Sequence, residues 1–207
     1  MGGDKSQGRA VAEQIMRIDP VEGYLAQLTV ARYDKQDSRT EELLRKAVEA
    51  GPADYQARVR LAKFCLGTAK QYAEGEAQAR TALRIDPTRT GAHVALVAAL
   101  IAQDKWGELD AALAEAEKDV PDDLSPYFRA GLSSLAKGTE LARAERYFRK
   151  YLAQEPEPFA PKWAQAHWRL GQVLEKEGRK ADAIAEWQEA VKLNPESPAK
   201  QDLKRVK

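Results

Sequence analysis

The sequence is short of most things that would tie it to a particular chemistry. Its 207 residues include one cysteine, Cys65, so no disulfide can form within the chain. Cys65 lies among Leu61, Ala62 and Leu66 and reads as a small buried hydrophobe; with no evident histidine partner it is a poor nucleophile. Net charge is nearly absent, +1 from 33 basic and 32 acidic side chains, so overall charge gives no reason to bind nucleic acid. The run Lys204-Arg205-Val206-Lys207 is short and terminal, without a basic face elsewhere to extend it. No apolar run approaches the roughly 18 residues of a membrane span. The longest, Val94 to Ala102, is about half that. The opening residues, Met1 to Gly8, are polar and do not form a signal peptide. Phosphate-loop, zinc-protease and nucleophile-elbow patterns are all missing. Aromatics make up only 7% of the residues, which suits alanine-rich helix packing better than a sheet.

What is present is clearest between Trp163 and Pro195. Leu170, Gly171 and Leu174 recur at helical spacing, as do Ala183, Trp187, Ala190 and Val191 after the turn Glu177-Gly178-Arg179. Small residues (Gly171, Ala183, Ala190) stand where two helix backbones must approach, and Leu170, Leu174 and Trp187 fill the seam. Pro195 ends the second helix. This unit resembles the tetratricopeptide repeat: a Leu-Gly pair, a turn glycine, then spaced Ala, aromatic, Ala and Pro. His167 departs from the pattern, standing where the family usually has tryptophan.

The resemblance extends along the chain. Prolines 20, 52, 87, 121, 156 and 195 close successive helical runs at intervals of 32, 35, 34, 35 and 39 residues, a period near that of such arrays. The spacing divides the chain into a half-repeat at 9–20, with Val11, Ile15 and Ile18 as its stripe, and repeats at 21–52, 53–87, 88–121, 122–156 and 157–195. At 196–207 follows either a cap, built on Ser197, Pro198, Leu203 and Val206, or a frayed basic tail. Lys35 to Ser38 is the turn of the first repeat. The second repeat carries an extra residue near Gly67-Thr68-Ala69, and Gly75 stands where the family prefers alanine. The leading half-repeat predicts a fragment of a longer protein, from which an export signal, anchor or catalytic domain would have been cut. The compartment, cytoplasm or bacterial envelope, is therefore left open.

What the resemblance implies is an all-α fold, a right-handed solenoid of antiparallel helix pairs whose first helices line a concave groove for a protein or peptide. The residue after each core-facing site points into that groove. In the third repeat these are Val94, Ala98 and Ile101; in the fourth, Phe128, Leu132 and Leu135. The helix from His93 to Ala102 is apolar all round and expects burial on every side. Arg60, Lys63, Arg129 and Arg169 are expected to give a basic edge, with Trp168 as an anchor. The predicted function is a non-catalytic interaction scaffold for an apolar segment with acidic flanks. A regulatory part of a larger enzyme and a self-associating module are the alternatives. The carboxylate clamp of chaperone-binding relatives is not expected, because the one asparagine, Asn194, lies at a helix end. His93 and His167 are expected to pack in an aromatic slot, and Asp122-Asp123 to cap a helix. No cofactor, metal, nucleic acid or membrane insertion is expected.

Overall fold

A computed structural model of the chain describes residues 5–33 and 37–206. Among them every regular element is helical, and the chain divides into two compact units, Met1–Pro87 and Thr88–Lys207.

The first unit holds α1 (Lys5–Ile18), α2 (Pro20–Tyr33), α3 (Asp37–Ala50), α4 (Tyr55–Phe64) and α5 (Tyr72–Ile85). Two helix starts follow from side-chain acceptors. The Asp19 carboxylate accepts the Val21 and Glu22 amides before α2, and the Asp54 carboxylate accepts the Ala57 amide in α4. Leu25, Leu28, Leu43, Leu44, Ala47, Ala57, Leu61 and Cys65 form one buried cluster. The turn expected at Lys35 to Ser38 lies partly outside the described residues, and α3 already begins at Asp37. The expected stripe of α1 is not its packed face: Val11 and Ile18 are exposed at 52% and 88%, whereas Ala12 is buried. Close approach explains this. A Cβ on Gly23 of α2 would lie 2.3 Å from the Met16 Cα, a contact that only small residues allow.

The extra residue of the second repeat is taken up in a π turn, Cys65–Ala69, directly after α4. Its effect can be measured at the helix ends. The Lys105 and Arg179 amides donate five residues back, to Leu100 and Leu174, but the Gln71 amide reaches six back, to Cys65. The turn also pushes Leu66 to within 2.8 Å of where a Cβ on Gly75 would sit, which accounts for a glycine in an alanine slot.

The turns inside four of the hairpins share one backbone state. Lys70, Asp104, Gly138 and Gly178 all have positive φ, at 54°, 58°, 73° and 80°. The first three are 34 residues apart, so they occupy one position of the repeat. Only two are glycine, and a lysine in this conformation is strained by about 1–2 kcal/mol. Replacing Lys70 with glycine is expected to stabilise the first unit by about 0.5–1 kcal/mol, the remainder offset by glycine's greater unfolded-state freedom. A urea titration of the wild type and Lys70→Gly checks this.

The second unit holds α6 (Thr90–Ala102), α7 (Trp106–Asp119), α8 (Ser125–Lys137), α9 (Leu141–Leu152), α10 (Trp163–Lys176), α11 (Lys180–Leu193) and α12 (Ala199–Arg205). Consecutive helices pair, and α6 also packs along α8. The α8–α9 and α10–α11 hairpins each seat an aromatic on a glycine. A Cβ on Gly131 would meet the Phe148 ring at 2.8 Å, and one on Gly171 would meet the Trp187 indole at 2.4 Å. Asp123 accepts the Ser125 amide at the start of α8, as a capping role requires, and also the Thr90 hydroxyl. Ser197 accepts the Ala199 amide, and Leu203 and Val206 of the C-terminal segment lie against the core. The connection from Leu152 to Trp163 is the longer one expected, and Phe159 stands fully exposed on it.

Ion pairs tie each repeat of this unit to the next. Asp110 receives Arg143 at 2.7 Å, Glu117 receives Lys150 at 2.6 Å, and Glu145 receives Arg179 at 2.7 Å. The partners are 33 or 34 residues apart.

Candidate partner-binding pocket

Arg129, Leu132 and Leu135 lie on α8 and Arg169 on α10. The fold brings these four together in a pocket of about 520 Å³. Gln172, Glu175 and Lys176 of α10 extend its wall, and Asp202 and Arg205 of α12 close one side. Leu132 is half-buried and Leu135 almost fully so, which makes the floor apolar.

The charges around this floor are unevenly paired. Arg205 makes two bonds to Glu175, at 2.7 and 2.8 Å, and a third to Asp202 at 3.2 Å. Asp202 also accepts the Trp168 indole N–H at 2.8 Å. Both carboxylates of the wall are therefore engaged. Arg129 and Lys176 have no partner among the described residues. The Arg169 guanidinium lies 3.8 Å from the centre of the Trp168 ring, and its Nη1 donates to Gln172 at 2.9 Å. Its Nε is buried with no acceptor. Burial pushes the Arg169 pKa down, more than the Asp202 charge raises it. The chain thus holds a partly desolvated cation over an indole, without an ion-pair partner among the described residues.

The other expected groove residues are placed elsewhere. Ile101 and Phe128 are 2% and 4% exposed and belong to the core, so they are not contact surface. Phe128 packs edge-on against Phe148, with centroids 5.6 Å apart, and against Tyr151. Val94 and Ala98 are half-buried on α6, outside the pocket lining. The all-round apolar character of α6 is met within its own unit, by α7 and α8. Trp168 is half-buried and serves as the platform for Arg169. Arg60 and Lys63 are exposed on α4, in the first unit. Sequence reasoning missed the contribution of α12. The 34 residues separating Trp168 from Asp202, one repeat length, are the signal that could have found it.

The two histidines do more than fill space. His93 is 2% exposed with Nε2 3.7 Å from the Asp119 carboxylate, and His167 Nδ1 lies 2.6 Å from Glu186. Each ring thus faces an acid on the second helix of its own hairpin. Cys65 is fully buried, and burial raises its thiol pKa, the wrong direction for a nucleophile. Among the described residues no group of three His, Cys, Asp or Glu side chains could hold a metal, and no helix is long and apolar enough to cross a membrane.

Comparison with known proteins agrees with the helical-repeat fold. Two tetratricopeptide repeat profiles match, over residues 39–90 and 164–197. A search of curated proteins gives no match. Among solved structures, PilW, described as a widely conserved type IV pilus biogenesis factor, is 21% identical with a TM-score of 0.71. The match covers 98% of this chain and 90% of PilW. TTC0263, a tetratricopeptide protein of Thermus thermophilus, is 19% identical with a TM-score of 0.59, covering 98% and 96%. YrrB, described as having an unusual peptide-binding site, is 15% identical with a TM-score of 0.52, covering 94% and 97%. At these identities the likeness is one of fold.

Proposed function

We propose that this chain, a tetratricopeptide-repeat protein, is a non-catalytic scaffold that holds an apolar segment of another protein in the pocket between α8, α10 and α12. An interaction scaffold is what the fold itself suggests. The observation that carries the finer reading is the convergence of Arg129, Leu132, Leu135 and Arg169 on one open pocket with an apolar floor. The peptide-binding site named for YrrB supports it by analogy of fold. Val94 and Ala98 would extend the contact along α6. The buried Ile101 and Phe128 would support the wall from behind, with Trp168 beside it. Arg60 and Lys63, in the first unit, would act on a separate part of the partner.

The test is Leu132→Asp, which sets a carboxylate on the floor. Affinity capture of a partner by the full chain is expected to fall about tenfold or more, with helix content retained by circular dichroism. Capture unchanged by both Leu132→Asp and Leu132→Ala would remove the pocket from the function. Should the captured species be another copy of the chain, light scattering across concentrations would show an oligomer that Leu132→Asp dissolves.

A further inference from the structure

We infer that the pocket between α8, α10 and α12 selects an acidic segment. Carboxylate side chains flanking the apolar contact would be received by Arg129, Arg169 and Lys176, and α12 is part of the binding site rather than only an end cap. The inference rests on the pocket being the partner site, and it adds the chemistry of the partner.

The argument is one of unmatched charge. Four cations line the pocket against two carboxylates, and the two carboxylates, Glu175 and Asp202, are already taken by Arg205 and the Trp168 indole. That leaves Arg129 and Lys176 unpaired, and Arg169 without an ion-pair partner, among the described residues. Elsewhere in this unit comparable cations, Arg143, Lys150 and Arg179, each have a carboxylate within 2.7 Å. Arg169 is also held in place. Trp168 stacks under it and Gln172 clips one end, so little side-chain freedom remains to be lost on binding. Trp168 is fixed in turn by Asp202 of α12 and through its carbonyl by the Trp187 indole. Asp202 is therefore a positioning residue: it orients the platform that carries the arginine. An apolar floor with an unneutralised basic wall is complementary to a protein segment whose leucine-like side chains are flanked by acidic ones.

The test uses a fluorescent acetylated and amidated peptide, Glu-Glu-Leu-Leu-Glu-Glu, and its counterpart with glutamine at every glutamate. Fluorescence anisotropy on the full chain is expected to show the acidic peptide binding at least tenfold more tightly, with the difference shrinking as salt is raised. Arg129→Gln combined with Lys176→Gln, both at exposed positions, is expected to bring the acidic peptide to the level of its counterpart. Asp202→Asn keeps an acceptor for Trp168 but removes a negative charge, so acidic-peptide affinity should rise severalfold. Equal binding of the two peptides, or a preference that survives the double substitution, would overturn the acidic selectivity. If that equal binding is still lost in Leu132→Asp, the pocket remains the partner site. Binding of neither peptide would overturn both readings.

Discussion

Replacing Trp187 with alanine is expected to destabilise the second unit by about 3–5 kcal/mol. The indole is fully buried, and its position is set by the absence of a side chain on Gly171, whose Cβ would come within 2.4 Å of it. Removing the ring opens a cavity between α10 and α11 that neither backbone can close. It also takes the donor from the Trp168 carbonyl, now bonded at 3.2 Å. Because α12 leans on α11 and on Trp168, loosening should spread to the C-terminal helix. Thermal and urea unfolding followed by circular dichroism would measure the loss. Trp187→Phe, which keeps most of the volume, should cost clearly less. Unfolding curves identical to wild type would mean that the ring does not fill this seam.

The second large effect is expected at Gly23. An alanine there would gain up to about 1 kcal/mol in helix propensity. The obstacle to it is backbone: the new Cβ would lie 2.3 Å from the Met16 Cα and 2.7 Å from its nitrogen. No rotamer change relieves that, so α1 must move away from α2. A net loss of about 1–3 kcal/mol is expected, concentrated in α1. Amide hydrogen exchange should show α1 losing protection while α4 and α5 keep theirs. Protection of α1 equal to wild type would mean that α1 accommodates the methyl group where it lies.

These two sites mark where the sequence could and could not be read. Trp187 was legible because Leu170, Gly171, Gly178, Ala183 and Ala190 surround it at fixed intervals, and the seven-residue glycine interval recurs at Gly131 and Gly138, with Phe148 one residue later in its repeat than Trp187. Gly23 was not, because Val11, Ile15 and Ile18 offer the larger apolar stripe; that the Ala12 side packs instead follows from how closely two backbones approach. The turns at Lys70 and Asp104 were hidden for a related reason, since neither residue announces a positive φ. In the pocket, Arg129, Leu132, Leu135 and Arg169 could be placed by repeat register. Ile101 and Phe128 could not be told from groove residues, because neighbouring helix positions differ by only about 100° and packing of the adjacent helix decides which is covered. The role of α12 depends on a bond between Trp168 and Asp202, which the 3.6-residue helical period does not encode and only their separation of one repeat length hints at.

The ion pairs between repeats of the second unit have a consequence apart from stability, to which exposed pairs contribute only about 0–1 kcal/mol each. The interiors of the α8–α9 and α10–α11 hairpins are much alike, Gly131 against Phe148 and Gly171 against Trp187. On those grounds the hairpins could stack in almost any order. The outer charges remove that freedom. Asp110 and Glu117 match only the hairpin that presents Arg143 and Lys150; Glu145 matches the one that presents Arg179; Glu175 matches the segment that presents Arg205. Each hairpin thus displays an address for its successor, and a shuffled arrangement would set unlike hairpins together without their countercharges. The core makes these segments stackable, and the surface writes their sequence of assembly.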